Sequence, residues 1–472
     1  MNKPSSLKWM VLVALSVLSL SACKTKQMVA PKMPEFAKVD SIQLPDAASF
    51  FNDKRLQALL DQAVRHNPDY LALEAGVQSQ RAELLARKNA LLPNIDLFLG
   101  AGTRRFSEYS IDGVGNFDTN FSPNIRPDQR MPNPLPDYAV RMQASWELDL
   151  WGRLNNMRKA AAYRYLGSES GLRWMRATLS AEVAQAYYEL LAMNEMQRIV
   201  SDNIGVQQTA VELVKLQQAA GRATALAVQQ TEAQLFRTRA LAEQVAAERI
   251  QANNRLQLLL GKYPGQDNDS TRLTQVNAPA LQKTGVPTSW LLQRPDLQQA
   301  SLELQASGAD VKSAQAAFFP RLVLTPEFGL HGFNAAQFFS PASMAWQLMG
   351  GLTAPVFNQR LLKAGLMQAE ARQKQALQQF TKTSLNAYNE VYETLLLAEL
   401  LERNFQEKQL EVNSLRQGVR TAGELFAAGY ATYLEVIVAQ NDVLAAEMEL
   451  VRVQQARFQN TILLYKALGG SW

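Results

Sequence analysis

One cysteine and two histidines are all that the 472-residue chain contains of either type. The lone Cys23 excludes a disulfide scaffold, an iron–sulfur cluster and a thiolate zinc site. His66 and His331 are far apart, which argues against a histidine-rich metal centre and against the paired-histidine helix of zinc hydrolases. There is no glycine loop of the kind that cradles phosphate. Gly167-Ser-Glu-Ser-Gly171 comes nearest to a nucleophile elbow, but Glu169 stands where the serine would be needed. With no nucleophile–base pair and no ligand cluster, the chain reads as neither an enzyme nor a cofactor carrier. The net charge of +5 is mild and scattered, which points away from nucleic acid. After Cys23 no apolar run reaches 18 residues, so any membrane passage by the mature chain must use strands.

The N-terminus has its own pattern. Lys3 and Lys8 precede an apolar run from Trp9 to Leu20, too short for the roughly 20 residues a spanning helix needs. Leu20-Ser21-Ala22-Cys23 follows and resembles a bacterial lipobox, with residues 1–22 as the signal and Cys23 as the acylated first residue. The alternative is an ordinary signal peptide with an incidental cysteine. Lys24, rather than Asp, follows Cys23, and under the lipobox resemblance this implies sorting to the outer membrane.

The rest of the chain repeats itself. Asn67-Pro68-Asp69 reappears as Arg294-Pro295-Asp296, and Leu92-Pro93 as Phe319-Pro320, both at an offset of 227 residues. Ala219-Ala-Gly221-Arg-Ala-Thr224 reappears as Ala427-Ala-Gly429-Tyr-Ala-Thr432, and Leu260-Gly261 as Leu468-Gly469, both at 208. Four anchors in two registers define an internal duplication, with a loop 19 residues longer in the first copy. The repeats span 67–261 and 291–469. They are preceded by a segment at 23–66, separated by a linker at 262–290 and followed by a tail at 470–472.

Each copy reads as helix, strand, loop, strand, long helix, turn, long helix. The first helix runs from about Pro68 to Leu92, and its counterpart from Pro295 to Phe319, each opening on a proline that suits a first helical turn. The period then changes from 3.6 to 2. Tyr138, Val140, Met142, Ala144, Trp146, Leu148 and Leu150 alternate with Arg141, Gln143, Ser145, Glu147 and Asp149. The second copy alternates less cleanly over 344–356, and the partner strands are 94–103 and 321–330. Strands of about ten residues with one apolar and one polar face suit a membrane barrel with a wet lumen, and equally a half-buried soluble sheet. The Gly-, Asn- and Pro-rich stretch between the first strand pair is expected to be an exposed loop. Trp146, Trp151 and Trp346 fit an interfacial aromatic belt or packing where strand meets helix. Glu147, Asp149 and Arg141 are expected to be solvated groups facing the lumen.

Long helices follow at 153–217 and 224–260, then at 363–426 and 432–468. In the first, Leu172, Met175, Leu179, Val183, Ala186, Leu190 and Met193 step by three and four, a seam for helix packing. Gly167 and Gly171 suit a close approach of another helix. Gly221 and Gly429 are placed to let the chain turn between antiparallel helices. Two copies supply four strands, and an open strand edge in lipid leaves backbone groups unpaired. Other chains must therefore complete the barrel, and three chains give the 12 strands that best suit an open interior.

Several motifs together resemble the TolC family of outer-membrane channels, in its lipoprotein branch serving drug-efflux pumps. They include Trp146-Glu-Leu-Asp-Leu-Trp-Gly-Arg153, Ala184-Gln-Ala-Tyr-Tyr-Glu-Leu190, Ala316-Ala-Phe-Phe-Pro320, Tyr433-Leu-Glu-Val436 and the closing Leu464-Tyr-Lys-Ala-Leu-Gly-Gly-Ser-Trp472. The resemblance implies an α+β membrane protein: a homotrimer with a 12-stranded barrel continued by a 12-helix periplasmic barrel. It also implies a mixed equatorial region, here at about 24–66, 262–290 and the tail. The implied role is passive conduction of small molecules, supplied by a periplasmic adaptor and an inner-membrane transporter of the RND (proton-driven) type. The exit duct of an ABC-driven protein secretion system is the alternative. The implied docking tips are Gly221, Arg222, Gly429 and Tyr430. The implied aperture lies at Leu434, Glu435, Val438 and Asp442. Val438 occupies the place where the family often has Asp, so Leu434 and Val438 are either an apolar constriction or ordinary seam residues.

Overall fold

The computed structural model describes residues 51–265, 271–276, 291 and 293–469. Cys23, the signal at 1–22, most of 23–66, much of the 262–290 linker and the 470–472 tail lie outside the described residues. The elements are α1 (Lys54–His66), α2 (Pro68–Asn89), β1 (Asn94–Arg104), α3 (Ile111–Thr119), β2 (Leu135–Leu148), α4 (Arg153–Ala219) and α5 (Ala225–Leu259). The second half contributes α6 (Pro295–Ala316), β3 (Arg321–Gly332), β4 (Met344–Thr353), α7 (Gln359–Ala427) and α8 (Tyr433–Ala467). From α2 onward the two halves carry matching elements in one order; among the described residues α3 has no counterpart between β3 and β4, and none is described for α1.

Local chemistry sets the boundaries. Asp53, Asn67, Ser110 and Thr224 cap α1, α2, α3 and α5 with side-chain oxygens that accept first-turn amides. The long helices α4 and α7 have 67 and 69 residues; at 1.5 Å per residue each extends about 100 Å. None of the described helices is apolar enough to cross a membrane.

Several edges differ from the sequence expectation. β2 begins at Leu135 rather than 138, because Pro136 sits at the strand start, opposite Thr103, where a missing donor is tolerated. It ends at Leu148 because Asp149 turns back onto α4. β4 stops at Thr353 rather than 356, since Pro355 cannot donate to a ladder. The α7 helix starts at Gln359, four residues before the expected 363. The stretch expected to be an exposed loop contains α3, a full helix despite Gly113 and Gly115. α1 was not foreseen.

The strands form one antiparallel sheet in the order β1-β2-β3-β4. Residues directly opposite in an antiparallel ladder share a face. The register places Leu97, Met142 and Phe328 in one row, and Trp346 opposite Phe328. The rows Leu99–Val140–Leu330–Met344 and Ala101–Tyr138 extend the same face, and Trp146–Leu324–Gly350 continues it toward the helices. No charged residue enters it. The other face carries Asp96, Gln143, Glu327 and Gln347 in one row. Both outer strands, β1 and β4, present unpaired edges within the chain.

The core lies among the helices, well away from the sheet. Leu179, Val183, Tyr187, Tyr188, Leu191 and Met196 of α4 pack with Leu56 of α1, Leu256 of α5 and Phe458, Ile462 and Tyr465 of α8. Burying each such side chain contributes about 2 kcal/mol. Leu179, Val183, Ala186, Leu190 and Met193 of the seam read from the sequence face this core; Leu172 and Met175 lie outside it. At Gly171 an added Cβ would lie 2.9 Å from the Gln299 amide of α6, and at Gly167 3.6 Å from Leu302 Cβ. Both glycines sit where α6 crosses α4.

Candidate functional site: a conduit wall and its two ends

The wet face of the sheet holds a short row of interacting groups. Arg141 pairs with Glu327 at 2.7 Å, and its guanidinium lies 4.7 Å from the centre of the Phe98 ring. Toward the hairpin ends His331 Nε2 lies 2.8 Å from Asp137 Oδ1. The polar face therefore carries an Arg–Glu ion pair and a His–Asp hydrogen bond. Of the other two groups expected to face the lumen, Glu147 keeps the polar face in the register, opposite Val323, and Asp149, one residue past β2, serves the strand–helix junction. Glu147 chelates Arg153 at 2.8 and 2.9 Å. Asp149 caps α4 by accepting the Leu154 and Asn155 amides at 2.9 and 2.7 Å. Asp149 lies beyond the end of β2, where the alternation no longer fixes a face.

The tryptophans divide. Trp151 stacks on Phe319 at 4.9 Å and donates to the Pro320 carbonyl, while Trp146 donates to the Leu91 carbonyl. These two lock strands to helices. Trp346 is 76% exposed on the apolar face, as a belt residue would be.

At the opposite end the two helix hairpins turn. Gly221 and Gly429 take φ of 71° and 80°, the left-handed region in which a Cβ is strained. At the first turn the Arg222 amide donates to the Gln217 carbonyl at 2.8 Å; at the second, Tyr430 donates to Leu425 at 2.9 Å. Each bond terminates its helix with a Schellman-type closure. Gly221, Arg222, Gly429 and Tyr430 therefore occupy the two tips, with Tyr430 projecting its ring into solvent. The tips are joined. Tyr433, at the start of α8, packs on Val214, Ala227 and Val228, and its hydroxyl donates to Gln230 Oε1 of α5 at 2.7 Å.

The four residues expected at the aperture are exposed within one chain, along the first three turns of α8. Leu434 and Val438 are about half exposed within one chain, one helical turn apart. Glu435 serves the helix itself, closing a capping box with Thr432 by accepting the Thr432 amide. Asp442 lies farther along, at the rim of a groove of about 1080 Å³ between α5, α7 and α8 that also presents Arg237, Lys408 and Arg452.

Where α8 ends, against the middle of α7, Arg294 is 1% exposed. It binds Asp296, Glu390 and the Ala467 carbonyl at 2.8–3.1 Å, under the Trp174 ring. Burial works against its charge, but the bonds to Asp296 and Glu390 outweigh that and raise its pKa. Lys466, over the other reach of Trp174, has its pKa lowered, chiefly by burial. In the first copy Asn67 does the equivalent work, donating to the Leu259 carbonyl at 3.1 Å. Among the described residues no cluster of His, Cys, Asp and Glu is arranged to hold a metal ion.

Sheet, hairpins and duplication together match known proteins over nearly the whole chain. A profile of the outer membrane efflux protein family matches residues 59–262 and 286–470, one segment for each repeat. The chain belongs to this family. It is 30% identical to the cation efflux system protein CusC of Escherichia coli, across 98% of this chain and 97% of that protein. It is likewise 30% identical to the pyoverdine export outer membrane protein OpmQ of Pseudomonas putida, across 96% of each. A crystal structure of CusC superposes with a TM-score of 0.78 at 27% identity, covering 94% of this chain and 99% of that one. The open-state MtrE channel of Neisseria gonorrhoeae superposes at 0.80 with 24% identity. The protein is thus an outer-membrane efflux channel of a Gram-negative bacterium. Its four strands are one third of a trimeric 12-stranded barrel, continued into the periplasm by helices. It acts with a periplasmic adaptor and an inner-membrane transporter.

The contact of Tyr433 with the other hairpin was not read from sequence. The signal was present, an aromatic just after a helix cap, but nothing in one helix's periodicity says that it reaches a neighbouring hairpin.

Proposed function

We propose that this protein conducts small solutes passively from a periplasmic adaptor and an RND-type inner-membrane transporter to the exterior, anchored by an acylated Cys23. The observation that carries the proposal is the pairing of an uncharged outer sheet face with a polar inner face at one end and two capped helix hairpins at the other. The adaptor docks at the tips, on Gly221, Arg222, Gly429 and Tyr430, where the turns leave exposed side chains and no competing packing. The aperture is formed by Leu434, Glu435, Val438 and Asp442. Leu434 and Val438 supply an apolar ring when three copies converge. Glu435 is tied up as a cap, so its charge is partly spent on a backbone amide; Asp442 is the freer carboxylate. No residue carries out chemistry. Cargo is selected mainly by the transporter, and the relatives named above, serving cation efflux and pyoverdine export, fit that division of labour.

Susceptibility of a deletion strain tests the proposal. Hypersensitivity to dyes, detergents, antibiotics or toxic cations, restored by the intact gene, is expected. Unchanged sensitivity together with loss of a secreted protein would move the assignment to protein export. A photo-reactive residue at Arg222 or Tyr430 is expected to capture an adaptor in living cells. Labelling with palmitate that disappears in Cys23→Ala tests the anchor.

A further inference from the structure

The nine-residue α3 helix in the hairpin joining β1 to β2 is inside out. Its small and polar side faces the chain: Gly113 lies so close to the Ser107 carbonyl that a Cβ there would sit 1.9 Å from the oxygen. Asn120 exchanges hydrogen bonds with both backbone groups of Met131 at 2.8 and 2.9 Å. The segment after it is tied to the other hairpin loop by Asn334, which donates to the Asp128 carbonyl at 3.1 Å. The helix is therefore firmly held, and by its polar side. Its apolar side points away from the chain, with Ile111 93%, Val114 57%, Phe117 68% and Phe121 72% exposed. Phe117 and Phe121 pack edge to face at 4.9 Å, making a continuous ridge. An uncovered ridge of this kind on a fixed helix marks an interface.

Two occupants suit an apolar ridge at the outer rim of a barrel: lipid and another copy of the chain. Charge separates them. Helices that lie on anionic membrane surfaces carry Lys and Arg on their polar side, whereas α3 has Asp112 and Asp118 and no basic residue. Position also favours a second copy. α3 follows seven residues after the end of β1, and β1 is the edge strand that closes the barrel against the neighbouring subunit. The dimensions agree. Twelve strands about 4.8 Å apart and tilted by about 40° enclose a barrel roughly 24 Å across. Three helices, each about 10 Å thick, meet across such a mouth.

We propose that the Ile111–Phe121 ridge of α3 packs against the α3 helices of the two neighbouring subunits, forming a collar over the outer mouth of the trimeric barrel. The collar adds a second narrow point to the conduit, at the end opposite the aperture. It also accounts for where the duplication is broken: the extra residues of the first copy lie in this hairpin, at the outer end of the sheet.

A benzophenone amino acid at Phe117, activated in intact outer membranes, tests this while keeping an aromatic side chain on the ridge. Products of two and three chains are expected. The same probe at Asp112, on the opposite side of α3, is expected to give several-fold less. A Phe117→Ser, Phe121→Ser channel in planar bilayers is expected to show about a twofold rise in conductance through the opened mouth. Crosslinks to lipopolysaccharide, or no product from membranes in which the trimer is present on a native gel, would overturn the collar. Loss of the trimer band in the unmodified protein would overturn the trimeric barrel itself, a separate failure.

Discussion

The Tyr433 hydroxyl reaches from the first turn of α8 to Gln230 of α5, 2.7 Å away and 203 residues earlier in the chain. It is a polar tie between hairpin tips that also meet through a small apolar cluster. Tyr433→Phe keeps the ring and loses the tie. A stability change of no more than about 1 kcal/mol is expected, together with a leakier resting channel. The measurement is entry of a large antibiotic normally excluded by the outer membrane, with trimer content as control. Unaltered exclusion would reduce the tie to a surface contact.

The paired substitution Leu434→Ala, Val438→Ala tests the apolar ring. Removing six side chains from the trimer is expected to raise resting conductance severalfold by letting water persist in the constriction. If the closed-state conductance is unchanged in planar bilayers, these residues are seam residues and nothing more.

How far sequence reaches is plain at these positions. The duplication, the strand parity and the two left-handed glycines were legible because each rests on local chemistry: a repeat offset, a two-residue period, a residue without Cβ. The Thr432-Tyr-Leu-Glu435 box was equally local, yet resemblance drew Glu435 toward the aperture and its capping role was passed over. α3 was hidden because Gly113 and Gly115 lower helix propensity; one of them is needed for the approach to Ser107. Asp149 was misplaced by extending strand alternation two residues too far. The Tyr433–Gln230 tie and the Arg294 cluster depend on how separate helices pack, which no single segment encodes.

Arg294 and Asn67 do one job at equivalent places, so their loss is expected to differ in size. Arg294→Met strands Asp296 in a buried site and frees the Ala467 carbonyl. A loss of about 3–5 kcal/mol is expected. Asn67→Ala removes a cap and one bond to Leu259, a loss of about 1–2 kcal/mol. Thermal dissociation of the detergent-solubilised trimer measures both. Equal losses would refute the comparison.

Tyr188 is fully buried against Phe458, and its hydroxyl finds no partner among the described residues. Burial, the main cause, with the nearby Asp53 charge, holds its pKa far above the usual 10.0. The unfolded chain therefore releases this proton first. Stability from the neutral hydroxyl is complete below about pH 10 and declines as the pH rises above that value. Tyr188→Phe removes an unpaired buried polar atom and is expected to be neutral or stabilising by about 1 kcal/mol near neutrality. It is also expected to flatten the alkaline limb of a melting-temperature profile. A destabilised variant would reveal a partner for the hydroxyl.

The sheet whose outer strands both lack partners also sets how the protein behaves in a mixed population. A lone subunit has no lipid-stable resting place, so subunits commit to one another as they enter the membrane and do not exchange afterwards. A cell making intact and tip-defective chains in equal amounts would then hold all-intact channels at roughly one in eight, the cube of one half. Alleles that damage one hairpin would therefore be strongly dominant over the intact copy.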